Sequence, residues 1–231
     1  LTKFPLWATM LWSKEVHFVR GRDLHPQLCT RVNPETTGEE KVRVKDSSIT
    51  LTDWLRSRTA FLTTPVAQQL ADWDVHPNAV TLTGGALVMG AAAVLALGHV
   101  TWGGILSLLT SSLDAVDGRL AAVSGRRSRF GAFLDSTVDR LSDGALFFGL
   151  LLHLLSVDAA VESALAFLAL LGSLMVSYTR ARAEGVGYEC KVGWLTRVPR
   201  IVLLGVGLMV GLIRPTLVLL TVLSWFTVLQ R

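Results

Sequence analysis

An all-α integral membrane fold, six transmembrane helices preceded by an amphipathic interfacial helix, is the architecture that this sequence predicts. Three observations carry it. Of 231 residues, 51% are hydrophobic, and the mean hydropathy is +0.47; a soluble domain of this size is rarely so apolar. Beyond the first fifty residues the apolar positions come in blocks near 20 residues long, enough at 1.5 Å per residue to cross ~30 Å of hydrocarbon. The basic residues gather in alternate loops between those blocks, the bias that orients membrane proteins.

Residues 1–50 form an N-terminal polar segment of unassigned role, and 51–231 a membrane domain. LTKFPLWATMLW is apolar enough to lie on a membrane or a partner. The rest of the segment has the Pro, Gly and charge content of loop with short strands such as Lys41–Val44. Leu1 is not a natural start, so the chain is expected to be a fragment or to have lost its first residues, and no secretory signal is visible. From Leu51 the pattern becomes helical. Thr52 or Asp53 is placed to cap a helix with Trp54, Leu55, Phe61, Leu62, Val66 and Leu70 on its apolar side and Arg56 and Arg58 on its polar side. A soluble amphipathic helix would read alike; the span that follows directly favours an interfacial one.

His76-Pro77-Asn78 breaks that helix, and six spans follow at about Ala79–Leu97, Trp102–Val123, Phe130–Leu155, Ala159–Tyr178, Gly193–Leu212 and Thr216–Leu229. The second is interrupted by Asp114 and Asp117, the third by Asp135, Asp139, Arg140 and Asp143. Arg126, Arg127 and Arg129 follow the second span. Arg180, Arg182, Lys191, Arg197 and Arg200 surround the junction of the fourth and fifth. Both termini and these two loops are therefore expected in the cytoplasm, with the acidic halves of spans two and three in the cytoplasmic leaflet. The net charge of +4 sits beside apolar blocks, which suits anionic lipid headgroups. With no basic stripe of interleaved aromatics, nucleic acid is not an expected partner. Cys29 and Cys190 form neither a metal spacing nor a disulfide frame and read as reduced thiols.

The acids carry the chemistry. Asp114 and Asp117 are three apart, Asp135 and Asp139 four apart, so each pair shares a helix face. A carboxylate at mid-membrane costs roughly 2.5–3.5 kcal/mol, and four would cost on the order of 10 kcal/mol without compensation. Their oxygens suit hard divalent ions such as Mg2+ or Mn2+, two of which can clamp phosphates. Gly118 and Gly131 remove side chains beside the acids, clearance for a base or pyrophosphate, although close helix packing is the commoner use of Gly in spans. A cation pathway lined by the same acids is a reading from a different class.

The segment DAVDGRLAAVSGRRSRFGAFLDSTVDR resembles the signature of the CDP-alcohol phosphotransferase family, D-x2-D-G-x2-A-R-x8-G-x3-D-x3-D. Asp114, Asp117, Gly118, Ala121, Gly131, Asp135 and Asp139 fall in register, and Ala122 stands where the family has Arg. The resemblance covers about 51–231. It implies a transferase of phospholipid biosynthesis in a bacterial plasma membrane, its active site on the cytoplasmic face. Such an enzyme moves a phosphatidyl group from CDP-diacylglycerol to an alcohol hydroxyl and releases CMP.

The same resemblance assigns roles. Asp114, Asp117, Asp135 and Asp139 would bind two Mg2+ or Mn2+ ions, and Asp139 would be the catalytic base. Gly118, Ala121 and Gly131, with Asn78 and Thr81 from a PN-x2-T element, would line the nucleotide site; a helix cap explains Asn78 nearly as well. Arg119, one turn before Ala122, is placed either to supply the missing guanidinium or to contact lipid phosphate. Without that Arg, a degenerate member is a further alternative. SYTRARAEGVGYECKVGWLTRVPR resembles the stretch of members that make phosphatidylinositol phosphate or phosphatidylglycerol phosphate. Arg182, Arg197 and Arg200 are its basic positions, expected to bind the acceptor's phosphate. Thr196 and Pro199 replace acidic residues usual beside them. Inositol phosphate is the expected acceptor and glycerol phosphate the alternative. Asp143 reads as an acceptor for Arg140. Members are commonly homodimers, and the small residues Gly84–Gly85 and Gly90–Ala93 would permit close helix contact.

Overall fold

The computed structural model describes residues 30–31, 63–189 and 195–231. They form seven helices: α1 (63–72), α2 (Pro77–Ala96), α3 (Val100–Val123), α4 (Arg129–Ser156), α5 (Ala160–Gly185), α6 (Arg197–Met209) and α7 (Ile213–Gln230). The β content of the described residues is one two-residue antiparallel pairing of β1 (Thr30–Arg31) with β2 (Tyr188–Glu189). The expected strand at Lys41–Val44 lies outside the described residues. So do the cap at Thr52 or Asp53 and the apolar positions from Trp54 to Leu62 of the expected interfacial helix.

Short turns join the helices. Gly98 ends α2 at φ 87° and Gly211 separates α6 from α7 at φ 76°, a left-handed conformation that costs glycine nothing. α2 opens with Pro77 in its first turn and His76 as N-cap, whose Nδ1 accepts from the backbone N–H of Asn78 at 3.2 Å. Proline suits that position because its missing N–H would be unpaired there anyway. The cap is therefore His76, not Asn78.

Among the described residues three helices, α2, α5 and α7, are long and apolar enough to cross a membrane. α3 and α4 are also long, at 24 and 28 residues, but carry the acids. α6 differs most from expectation. Of the predicted fifth span over Gly193–Leu212, the described residues from Leu195 on hold a helix of 13 residues, about 20 Å long and short of the hydrocarbon thickness.

The bundle is apolar outside as well as in. Leu82, Leu109, Phe148, Phe167, Val222 and Leu229 are exposed, while Ser107, Ser173, Ser224 and Thr227 are fully buried. That inversion is what a lipid solvent selects, since association there rests on close packing rather than on escape from water. α2 packs on both α3 and α4, α3 on α6, α4 on α5, and α7 on α5 and α6. Leu95, Leu146, Leu150, Leu204, Leu208, Leu217 and Leu220 make one shared core. Where α2 crosses α4, a Cβ on Gly149 would strike the backbone of Ala92, and one on Gly85 would strike Val138. Much of the small-residue stripe expected to serve a dimer thus faces inward: Gly85 meets α4, Ala91 and Ala92 are buried in the core, and Gly90 opens outward. α1 rests across α3 through Ala67, with Val116 and Leu120 beneath it.

Candidate active site

Antiparallel connection brings four helix ends together: the starts of α2, α4 and α6 and the end of α3. Each delivers part of one polar cluster. From α3, Asp117 is buried, and its Oδ2 accepts from Thr81 Oγ1 of α2 at 2.6 Å while its Oδ1 accepts from the Gly118 N–H at 2.5 Å. Asp114, one turn earlier, accepts through Oδ2 from Arg197 Nη1 at 2.7 Å. The same Nη1 lies 2.7 Å from Asp139 Oδ1 of α4. Asp135 sits one turn before Asp139 on the same face, half-buried. Ser128 caps α4, its Oγ accepting from the Gly131 N–H at 2.9 Å, which fixes where the acids of α4 begin.

Asp143 continues the four-residue spacing of Asp135 and Asp139, and its partners differ from the expected one. Arg140 donates to the carbonyl of Ser136 at 2.7 Å and approaches Asp139 at 3.7 Å. Asp143 instead takes Arg200 Nη2 at 2.7 Å, Arg197 Nε at 3.5 Å and Ser173 Oγ of α5 at 3.2 Å. Arg200 and Asp143 are 2% and 4% exposed. Charges so buried persist only when paired.

The remaining expected positions divide. Among the described residues a Cβ on Gly118 would meet nothing within 4 Å, so that side of α3 is clear of them. A Cβ on Gly131 would lie 3.0 Å from Ser128 Oγ and 3.2 Å from Asn78 Oδ1, which brings Asn78 to the start of α4. Ala121 is half-buried and Ala122 exposed. Arg119 Nη1 donates to Thr64 Oγ1 of α1 at 3.2 Å, a contact that no spacing in the sequence foretells. Arg182 is exposed near the end of α5. Lys191 lies outside the described residues.

In donor chemistry the set fits a divalent cation: carboxylate oxygens from two adjacent helices, the ligands that hard ions take. Among the described residues no three such side chains converge as placed to hold one ion, and Arg197 is the counter-charge between Asp114 and Asp139. Beside the cluster runs a groove of about 970 Å3 between α2, α4 and α5. Its walls are mostly apolar, with Met89, Phe148 and Leu170 among them, and its polar lining includes Ser136, Thr137 and Arg140, which are close neighbours of Asp135 and Asp139 in sequence.

Comparison with known proteins finds relatives of the chain in sequence and in fold. The family model for CDP-alcohol phosphatidyltransferase matches residues 74–230. An archaetidylinositol phosphate synthase of Pyrococcus horikoshii is 36% identical over 167 residues, 72% of this chain and 86% of its own. A phosphatidylinositol phosphate synthase of Corynebacterium glutamicum is 37% identical over 147 residues, 62% of this chain and 67% of its own. The crystal structure of Mycobacterium tuberculosis phosphatidylinositol phosphate synthase with CDP-DAG bound superposes with a TM-score of 0.70 at 31% identity, over 74% of this chain and 92% of that one. The structure of the same enzyme with manganese and citrate gives 0.68 at 30% identity, over 73% and 86%.

Proposed function

The chain belongs to the CDP-alcohol phosphatidyltransferase family, and from that premise we propose that it moves a phosphatidyl group from CDP-diacylglycerol to a hydroxyl of inositol phosphate and releases CMP. Membership makes it a phosphatidyltransferase and sets aside the cation-pathway reading. The observation that carries the acceptor is the meeting of Arg197 with Asp114 and Asp139 at 2.7 Å each: a phosphate-binding side chain borders the carboxylates. The names of the relatives support it, since synthases of two different lipids, archaetidyl and phosphatidyl, share the inositol phosphate headgroup. Glycerol phosphate is the alternative acceptor.

In this reading Asp114, Asp117, Asp135 and Asp139 would hold two divalent ions, Mg2+ or Mn2+, which would supply positive charge against the donor's diphosphate. Asp139 takes the proton from the acceptor hydroxyl as its oxygen attacks phosphorus, while the bond to the CMP oxygen breaks and CMP leaves. Thr81 holds Asp117 in place. Gly118, Ala121, Gly131 and Asn78 border the nucleotide, where the open side of Gly118 leaves room for it. Arg182 and Arg197 form the basic group for the acceptor's phosphate, with Arg200 buried behind Arg197, and Arg119 is a further anion contact. The groove beside α4 admits the donor's apolar tails from the membrane.

We assign six helices, α2 to α7, to the membrane domain and α1 to its cytoplasmic interface. Both termini and the active site then face the cytoplasm across the plasma membrane. The working form is proposed to be a homodimer. The test is CMP release by the purified full chain with CDP-diacylglycerol and Mn2+, with inositol phosphate, glycerol phosphate and free inositol in parallel. Release driven by inositol phosphate alone supports the reading; equal use of free inositol removes the phosphate-binding role.

A further inference from the structure

We propose that Asp143 is a positioning residue for the transfer: it holds Arg200 as a buried strut beneath the start of α6 and thereby sets the Arg197 guanidinium between Asp114 and Asp139. The inference deepens the reading above, on which Arg197 meets the acceptor's phosphate.

Arg197 and Arg200 are one turn apart in the first turn of α6. A helix N-terminus favours anions, so two cations there need counter-charge from elsewhere. Asp114 and Asp139 supply part of it to Arg197, and one carboxylate of α4, that of Asp143, is shared by both arginines. Asp143 Oδ2 takes Arg200 Nη2 at 2.7 Å, and Oδ1 takes Arg197 Nε at 3.5 Å. Ser173 of α5 donates to Oδ2 at 3.2 Å and fixes the plane of the carboxyl. Three helices are thus tied at one group. A guanidinium is a rigid planar fork. With Nε directed at Asp143, Nη1 of Arg197 is carried to Asp114 and Asp139.

Arg200 has no such reach. It is 2% exposed, and its Nε and Nη1 have no hydrogen-bond partner among the described residues. Asp143 is therefore the carboxylate that anchors it. The two arginines have separate duties, in which Arg197 faces the reacting groups and Arg200 fixes the helix that bears it. Asp143 stands at the four-residue spacing of Asp135 and Asp139 yet serves neither metal nor proton transfer.

The test uses the full chain in detergent, beginning with the wild type. If the wild type releases no CMP with inositol phosphate, the functional reading fails, and the positioning role falls with it. With wild-type turnover in hand, KM for donor and acceptor is measured for Asp143→Asn, Asp143→Glu and Ser173→Ala. KM does not depend on the amount of folded enzyme, so lost stability cannot imitate the result. Asp143→Asn is expected to raise acceptor KM about tenfold with donor KM within about twofold, as loss of an ionic hydrogen bond predicts. Asp143→Glu should recover part of that loss. Ser173→Ala, which removes one hydrogen bond, should shift acceptor KM about threefold in the same direction. An unchanged acceptor KM would show that the pair only stabilises the bundle, and both KM values moving together would show that it shapes the site as a whole; either result overturns the proposal. If Asp143→Asn does not fold, Ser173→Ala decides by the same criterion.

Discussion

Asp139 and Arg197 bear the proposed chemistry at the scale of single residues. Asp139 is the last acid of the series, and its Oδ1 lies 2.7 Å from Arg197. Asp139→Asn keeps the shape and removes the base. Turnover is expected to fall by roughly 10²–10⁴-fold, the range of a lost general base, while donor binding persists; parallel CMP-release and binding assays check this. Near-wild-type turnover would take Asp139 out of the role. Arg197→Ala removes an ionic hydrogen bond worth roughly 1.5–3 kcal/mol, so acceptor KM should rise about tenfold to a hundredfold with donor KM little changed.

What the sequence discloses at this scale follows from what spacing can encode. Asp114, Asp117, Asp135 and Asp139 fall on shared helix faces by their intervals alone. Thr81 is legible through its motif, and it does reach Asp117. The separate duties of Arg197 and Arg200 are not legible. Both stand at helical spacing, and only the packing of α6 against α3 decides which one reaches Asp114 and Asp139. Asp143 carries a signal in its interval from Asp139, whereas Ser173 and Thr64 carry none, because a hydroxyl thirty or more residues away leaves no periodic trace.

At the scale of elements the determinant is close helix approach. Gly149 of α4 lies so near Ala92 of α2 that a Cβ would strike its backbone, whereas a Cβ on Gly144, on the same helix, would meet none of the described residues within 4 Å. Overpacking typically costs about 1–3 kcal/mol. Gly149→Ala should therefore lower the thermal midpoint in detergent by several degrees, and Gly144→Ala should not; equal midpoints would mean that α2 and α4 do not cross here. Helix extents show where sequence reading ends. The apolar blocks locate α2 to α5 and α7 approximately, with the largest discrepancy at the end of α5, which runs on to Gly185. The fifth block misleads, since the apolar Leu195 is not helical and α6 begins only at Arg197. Hydropathy marks what can enter a bilayer and not where an i to i−4 ladder starts.

The whole molecule presents its polar cluster at one end of an apolar bundle. Asp74 of the α1–α2 turn pairs with Arg126 of the α3–α4 loop at 2.6 Å, and both lie at that end. Cysteine labelling at Ser124, in this loop, and at Asp158, in the opposite turn, tests the assigned orientation after Cys29 and Cys190 are replaced. Ser124 is expected to react from the cytoplasmic side and Asp158 from the outer side; the reverse pattern would invert the site.

At the same scale, the cluster is proposed to join inositol phosphate to a phosphatidyl group. Mass spectrometry of lipids extracted after incubating the purified chain with CDP-diacylglycerol, inositol phosphate and Mn2+ tests this most directly. The expected product is a phosphatidylinositol phosphate, formed together with CMP, absent when a chelator is present and absent with Asp139→Asn. Intact donor, or phosphatidic acid with no inositol-containing lipid, would contradict it.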